Sequence, residues 1–236
     1  MLLTLNRLVN LYEQNNQFTL KHLKKNNTLS KIIKAKDFFA LSCQKIIIDA
    51  YRLLKTQGYS VTWDEETFSA NMKHKLENIC TKRGLPYHIT RENVQDNPEI
   101  LKGIVKAKTA RKIDIVFASF LIAKRLVYGI EAKILVENDF YSKRFSHLNS
   151  EYIDEGMDRY IKNIYKIKGC MVGYVIQGNP DKIIPKINSL LVKRKRIKEI
   201  IVGKFTFNGL NYCYSSKHNG LILSHFLLPF PQKKNN

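Results

Sequence analysis

The first part of the chain carries apolar residues at the spacing of amphipathic helices. The opening residues place leucines at helical intervals before an Asn- and Lys-rich stretch, which predicts a short helix followed by a loop. Residues 37–56 repeat apolar groups at the same intervals and stop before Gly58, a residue type favoured just past helix ends. A further helix is predicted after Asp64, and it ends before Gly84. Helices therefore dominate the first third of the chain.

In the middle of the chain the pattern changes to short runs rich in β-branched and aromatic residues. Three strands are predicted there, and the last two are close enough in sequence to form a hairpin. A helix, an apolar strand, a lysine-rich helix and two closing strands follow. The predicted strands cover residues 87–93, 112–120, 125–136, 170–178, 204–209 and 221–228, and the later helices cover 151–167 and 180–198.

Helices on both sides of a mixed central β-sheet predict an α/β, or α+β, sandwich. The chain has 236 residues, of which 44% are hydrophobic, and this is enough to bury one core. We expect an N-terminal helical segment over residues 1–58, an α/β domain over 59–230 and a disordered tail over 231–236. No apolar run reaches the roughly 20 residues that span a bilayer, and the start lacks a cleavage site for export. We therefore expect a cytoplasmic protein without a membrane partner.

The four cysteines, Cys43, Cys80, Cys170 and Cys213, lie far apart in the sequence. None of them belongs to a CxxC pair or to a Cys/His spacing typical of a zinc site, and the pattern indicates no disulfide framework. We expect them to be small, buried residues of a protein that works in a reducing compartment.

The charge of the chain indicates the class of its partner. Lys and Arg number 40 against 20 Asp and Glu, which gives a formal net charge of +20 and a pI near 9.8. Such an excess favours binding to a polyanion, and nucleic acid is the partner expected first. The alternative is an AT-rich genome that enriches lysine in every protein it encodes. Charge therefore points to a partner class and says nothing about chemistry.

The predicted hairpin places ionisable residues inside two otherwise apolar strands. Asp114 lies near the start of one strand, and Glu131 and Lys133 lie in the next. If the hairpin turns at residues 122–123, Asp114 falls opposite Glu131. Side chains alternate along a strand, so Glu131 and Lys133 share a face while Ala132 points the other way. Burying such charges is costly unless they are paired or bound to metal, and this cost indicates a functional site.

This arrangement resembles the PD-(D/E)XK, or restriction-endonuclease-like, nuclease superfamily. In that family an Asp on one strand is followed by (D/E)xK on the next, and the matching residues here are Asp114, Glu131 and Lys133. Ile113 stands where the family name has proline. The resemblance covers roughly residues 60–180 and includes the order of an acidic helix, the hairpin, a second helix and an apolar strand. It implies a restriction-endonuclease-like core.

The resemblance also implies a metal-dependent mechanism. Asp114 and Glu131, with the carbonyl of Ala132, would coordinate Mg²⁺ or Mn²⁺, which take oxygen ligands. The metal would polarise the scissile phosphate and lower the pKa of a bound water. Lys133 would orient or help to deprotonate that water and would offset negative charge in the transition state.

A further glutamate often lies on the helix before the hairpin in this family. Glu66 is the preferred candidate, as a catalytic residue and metal ligand, because it opens the predicted helix, where a turn can direct it to the end of the sheet. Glu65 and Glu77 remain alternatives. Glu65 and Glu66 could equally serve only to stabilise the positive end of the helix.

Basic residues offer candidate phosphate contacts in two places. A pair of residues precedes the Asp114 strand, and a dense run lies towards the end of the lysine-rich helix, where the alternative is a solvated helix face. Tyr152, Arg159 and Tyr160 are further candidates to face the cleft, and the alternative for Tyr160 and Tyr165 is the core side of an amphipathic helix. The candidates for nucleic-acid contact are Arg111, Lys112, Lys193, Arg194, Lys195 and Arg196, and Gln177, at the end of the apolar strand, is an accessory candidate.

These expectations favour a metal-dependent endonuclease that acts on DNA, in restriction or phage defence. Two copies could pair as a homodimer to cut both strands. An RNase and a non-catalytic nucleic-acid-binding protein on a nuclease-like fold are the alternatives. A structural protein whose charge reflects genome composition is a third, and weak, salt-insensitive binding to DNA would favour it.

Overall fold

The computed structural model describes residues 28–94, 112–120 and 125–231. The helix predicted at the start of the chain, the turn of the hairpin, Arg111 and all but the first residue of the predicted tail lie outside these residues. The described part has a mixed α/β fold, in which helices cover a seven-stranded sheet of parallel and antiparallel strands. The predicted fold class is confirmed at this level. No helix in the described ranges is long and apolar enough to cross a membrane.

Within the described residues two helices precede the sheet, and both end where glycine was expected to end them. Helix α1 spans Thr28–Gln57 and α2 spans Glu65–Lys82. Gly58 (φ +119°) and Gly84 (φ +61°) follow them with the left-handed backbone that favours glycine. Asp64 caps α2, since its side chain accepts a backbone N–H of the first turn at 2.7 Å. Local signals therefore determine these boundaries.

The strands form one sheet in the order β1-β2-β3-β4-β7-β6-β5. The pairs β3–β4 and β4–β7 are parallel, and the remaining neighbours are antiparallel. The strands are β1 His88–Val94, β2 Lys112–Ser119, β3 Leu126–Val136, β4 Gly169–Gln177, β5 Phe205–Phe207, β6 Leu210–His218 and β7 Leu221–Pro229.

Strand β6 was not predicted, because its sequence lacks a simple apolar alternation. Two of its polar residues are buried against polar partners: the Ser216 hydroxyl lies 2.6 Å from His218 Nε2 and 2.8 Å from His225 Nε2. The other ring nitrogen of His225 lies 2.8 Å from the Tyr152 hydroxyl. Hydrogen bonds within β6 and to β7 therefore replace the apolar pattern that marks the other strands.

Apolar side chains fill both faces of the sheet. Residues of α1 and α2 such as Phe39 and Phe68 pack on one face with Ala132 of β3, in a single buried cluster. The other face packs against helices from the second half of the chain, with Tyr152 and Ile183 at its centre. Helix α1 therefore shares its core with the sheet. All four cysteines are buried, as predicted, and the structure has them as free thiols.

The helices of the second half differ from their predicted bounds. Helix α3 (Phe145–Glu151) continues through a π-helical stretch (Tyr152–Met157) into α4 (Asp158–Ile161), so the predicted helix over 151–167 was wrong at both ends. Asn163 has φ +53°, a left-handed conformation that interrupts helical geometry. Helix α5 spans Pro180–Lys193 and stops before its predicted end at 198.

Candidate active site

The β2–β3 hairpin brings Asp114 alongside the strand that carries Glu131. The backbone ladder pairs Ile115 with Ile130, and the same register extended by one residue sets Asp114 opposite Glu131, as predicted. At that point Asp114 Oδ2 accepts the backbone N–H of Ala132 at 2.7 Å. The Asp114 carboxylate of β2 thus forms a hydrogen bond to the backbone of β3, and this bond holds the Asp114 side chain against β3.

Glu131 is fully buried and has both carboxylate oxygens occupied. Oε1 accepts a hydrogen bond from the Arg159 guanidinium and lies 3.4 Å from Lys133 Nζ, while Oε2 lies 2.6 Å from the Tyr165 hydroxyl. Burial and then the nearby Asp114 raise the pKa of Glu131 to about 8, against the opposing effect of Lys133 and Arg159. The acid form of Glu131 is therefore favoured at neutral pH, although two cations and a hydroxyl partly compensate the burial of the carboxylate.

Lys133 joins the strand to helix α2. Its Nζ lies 2.7 Å from Glu65 Oε1. Burial lowers the pKa of Lys133, but the three nearby carboxylates of Glu65, Glu131 and Asp114 outweigh it, and the net shift is upward. Lys133 is therefore a protonated, positively charged group at neutral pH.

A cavity of about 380 Å³ is lined by Glu65, Asp114 and Lys133 but not by the buried Glu131. Half of its ten described lining residues are acidic, in a chain that has twice as many basic as acidic residues. Five of the lining residues are acidic and four are basic, so this cavity, which we name the acidic cavity, lacks the positive excess of the chain as a whole. The lining residues are Glu65, Glu66, Ser69, Arg91, Glu92, Lys112, Asp114, Lys133, Glu155 and Arg159.

The glutamate of helix α2 that contacts the central charges is Glu65. Glu66, the preferred candidate from the sequence, lines the cavity but is exposed, and the structure gives it no ion pair with another described residue. Glu77 pairs with Lys73 at 2.7 Å and does not line the cavity. Adjacent residues of an α-helix point about 100° apart, so only one of the first two can reach Lys133 directly.

Arg159 and Tyr165 reach Glu131 from beyond the hairpin. Arg159 follows the π-helical stretch, and Tyr165 lies after the helix has ended, with its hydroxyl 2.6 Å from the carbonyl oxygen of Lys112. Arg159 Nη1 also lies 2.9 Å from the Tyr165 hydroxyl. π-Helical turns often occur at functional sites because they change the direction of the residues that follow.

Above pH 8, where Glu131 is ionised, we expect Arg159→Ala to lower the free energy of unfolding by about 3 kcal/mol, because it leaves the buried carboxylate without its guanidinium partner. Arg159→Lys keeps the charge and should recover much of this loss. Urea denaturation in the absence of divalent metal measures both variants. Equal stability of Arg159→Ala and the wild type would show that this ion pair contributes nothing to the fold.

Sequence reasoning missed several residues of the cavity. Arg91 and Glu92 come from β1, whose pairing with β2 cannot be read from the sequence. Glu155 lies four residues before Arg159, and this helical spacing is the one signal that could have linked them. Arg91 and Arg159 each bury an Nε with no hydrogen-bond partner among the described residues. Unsatisfied donors beside a cavity are expected where a ligand or water completes their hydrogen bonding.

The basic run after α5 is partly engaged within the protein. The helix ends at Lys193, and Lys195 has φ +60°, so the four residues do not form the predicted helix face. Arg194 pairs with Asp154 at 2.6 Å, and Arg196 pairs with Asp158 and Glu199. The exposed side chains of this run are those of Lys193 and Lys195.

The other two polar candidates lie in different places. Lys112 lines the cavity and pairs with Glu92 at 2.8 Å. Gln177 does not line the cavity. Its side-chain oxygen accepts hydrogen bonds from the backbone N–H groups of Glu137 and Asn138, both at 3.0 Å. Gln177 therefore holds the segment that leaves β3 in place.

The donor chemistry of the site suits a hard divalent cation in part. Burial raises the pKa of Glu65 and of Asp114, and each carboxylate is near the other. Crowded carboxylate oxygens are ligands that Mg²⁺ and Mn²⁺ accept. Within the described residues, however, no group of three or more His, Cys, Asp or Glu side chains is arranged to hold a metal ion. Glu131 is fully buried, does not line the cavity and is engaged by Arg159, Lys133 and Tyr165, so these neighbours would have to rearrange before it could bind a metal ion.

Comparison with known proteins adds no relative. No protein-family model, no curated protein and no solved structure matches this chain. The resemblance to PD-(D/E)XK nucleases therefore rests on Asp114, Glu131 and Lys133 and on the order of the surrounding elements.

Proposed function

We propose that the protein is a divalent-metal-dependent nuclease that hydrolyses phosphodiester bonds of DNA. One observation carries the proposal: Asp114, Glu131 and Lys133 meet at the end of a β-hairpin, where Lys133 Nζ lies 3.4 Å from Glu131 and Asp114 is bonded to Ala132. Buried ionic groups add little net stability to a fold. Such a cluster beside a cavity is therefore better explained by chemistry than by architecture.

The order of elements supports a restriction-endonuclease-like core. An acidic helix, α2, precedes three antiparallel strands, and the helix from α3 to α4 then connects β3 to the parallel strand β4. This is the order on which the resemblance was based. A role in restriction or phage defence is part of the proposal and follows from the resemblance alone.

The acidic cavity supports a metal-dependent reaction. Asp114 and Glu131, with the carbonyl of Ala132, would hold the ion, and Glu65 is the acidic neighbour that already contacts Lys133. A bound divalent ion supplies Lewis acidity for the scissile phosphate and a lowered pKa for an attacking water. The net charge of +20 supports a polyanionic substrate.

Lys133 acts in this proposal as a fixed positive charge. Because its pKa is raised, it does not accept a proton from water at neutral pH. It instead donates hydrogen bonds to the attacking water or to a phosphate oxygen and offsets the negative charge that develops there. Of the two roles considered from the sequence, the electrostatic one is the better supported.

A second function is favoured by one specific observation. Both oxygens of Glu131 are already engaged by Arg159, Lys133 and Tyr165, an arrangement that a non-catalytic nucleic-acid-binding protein on the same fold could retain. In that case DNA would bind with or without a metal ion, and no bond would be cut.

Incubation of the purified protein with supercoiled plasmid and with RNA of matched length distinguishes these functions. We expect nicked or linear plasmid with Mg²⁺ or Mn²⁺, intact plasmid with a chelator, and little cleavage of the RNA. Cleavage of RNA alone would make the protein an RNase. Binding of DNA without cleavage under every metal condition would replace the nuclease with the binding function.

A further inference from the structure

A second cavity, which we name the basic groove, lies at the opposite end of β3 from the acidic cavity. Its volume is about 270 Å³. Four of its ten described lining residues are basic, and none of the ten is acidic. The lining residues are Lys36, Phe39, Ala40, Arg125, Leu126, Val127, Tyr128, Lys166, Ile167 and Lys168.

The positive charge of the basic groove is largely uncompensated. Lys168 pairs with Asp37 at 2.9 Å, in a bridge whose two side chains are more than half exposed. Lys36, Arg125 and Lys166 make no ion pair with any residue in the described ranges. Like charges gathered without partners repel one another and attract an anion. The groove is thus complementary to a negatively charged ligand.

The rest of the lining favours a phosphate backbone over bases. Phe39 and Tyr128 are 3% and 2% exposed, so neither ring offers a free face on which a base could stack. The Tyr128 hydroxyl already accepts a hydrogen bond from Gln44 Nε2 at 2.8 Å. What the groove presents to a ligand is therefore basic side chains over a buried apolar floor.

We propose that the basic groove is a second contact site for the nucleic-acid backbone, separate from the acidic cavity and independent of base sequence. The proposal relies on the proposed function for its partner, a nucleic acid, but not for the cleavage reaction. Leu126 in the groove and Lys133 in the active site are seven residues apart on β3, or about 23 Å. Exposed charges are largely screened over that distance, so substitutions at the two sites should act independently.

The test compares two double variants that each remove two positive charges. Arg125→Gln/Lys166→Gln removes charge from the basic groove, and Lys198→Gln/Lys217→Gln removes the same charge from exposed positions that do not line it. Binding of labelled duplex DNA is measured across a salt series with a chelator present and no divalent metal. Log affinity falls as log salt rises, and we expect the groove variant to make this negative slope shallower by about 2, because each phosphate contact contributes about 0.9. The control variant should change the slope much less.

Equal slopes for the two double variants would overturn the basic groove as a contact site. Polyglutamate is added as a competitor to test the assignment of the groove to nucleic acid. If polyglutamate displaces labelled DNA as effectively as unlabelled DNA of equal charge does, that assignment is wrong. Circular dichroism of both variants checks the fold. Because the binding assay contains no divalent metal, it tests the groove even if the protein has no nuclease activity. If the protein cuts DNA but the two double variants have equal slopes, the groove proposal is wrong and the proposed function is unaffected.

Discussion

Asp114→Asn is expected to reduce metal-dependent DNA cleavage by about 10²- to 10³-fold, the scale on which single catalytic electrostatic groups act. The substitution removes a ligand charge, but its amide oxygen can still accept the N–H of Ala132, so the hairpin should keep its register. Affinity for Mg²⁺ or Mn²⁺, measured by calorimetry, should fall together with the rate of plasmid nicking. DNA binding in a gel shift should persist, because the basic surface is unchanged.

Lys133→Ala, tested in the same experiment, distinguishes the role of the lysine in cleavage from the role of the carboxylates in metal binding. It keeps the Asp114 and Glu131 carboxylates, so metal should still bind while cleavage falls by about two orders of magnitude. Lys73→Ala is the matched control, since Lys73 pairs with Glu77 and does not line the acidic cavity. Cleavage at the wild-type rate by Lys133→Ala would remove the role assigned to the lysine. If Asp114→Asn also remained active, the whole site would have to be abandoned.

A destabilising contribution from His225 in mild acid is the second large effect we expect. Burial, followed by the nearby His218, lowers the pKa of His225 from 6.5 to about 3. Between about pH 6.5 and pH 3, His225 is therefore protonated in the unfolded chain but neutral in the folded chain. The contribution of His225 to the free energy of unfolding should therefore fall by about 1.4 kcal/mol for each pH unit within this window, while Glu131, with its raised pKa, contributes in the opposite direction above about pH 4.5.

Urea denaturation at a series of pH values measures this slope, and His225→Gln is the control. Glutamine is neutral throughout the range and can still bond to Tyr152 and Ser216, so the variant should lose the histidine contribution while carboxylates continue to titrate. NMR of the imidazole provides a second measurement, in which the ring stays neutral in the folded protein down to about pH 4. A ring that titrates near its ordinary pKa, or equal slopes for the two proteins, would contradict the prediction.

The sequence by itself determined the features that depend on neighbours along the chain. Gly58 and Gly84 marked the ends of two helices because only glycine adopts a left-handed backbone without strain. Alternation along the β2–β3 hairpin placed Asp114 with Glu131 and put Lys133 on the same strand, because the turn position alone sets the register. The candidate catalytic residues could therefore be named without a structure.

Only the tertiary structure decided which distant groups surround those residues. The choice of Glu65 over Glu66 depends on the rotation of α2 against β3, a matter of packing between elements 68 residues apart. Arg159 and Tyr165 meet Glu131 because a π-helical stretch and an early helix end redirect the chain. Strand β6 buries Ser216, whose hydroxyl is hydrogen-bonded to His225 on β7 and to His218 on β6 itself. These contacts join residues that are distant in sequence, so the periodicity of neighbouring residues does not predict them.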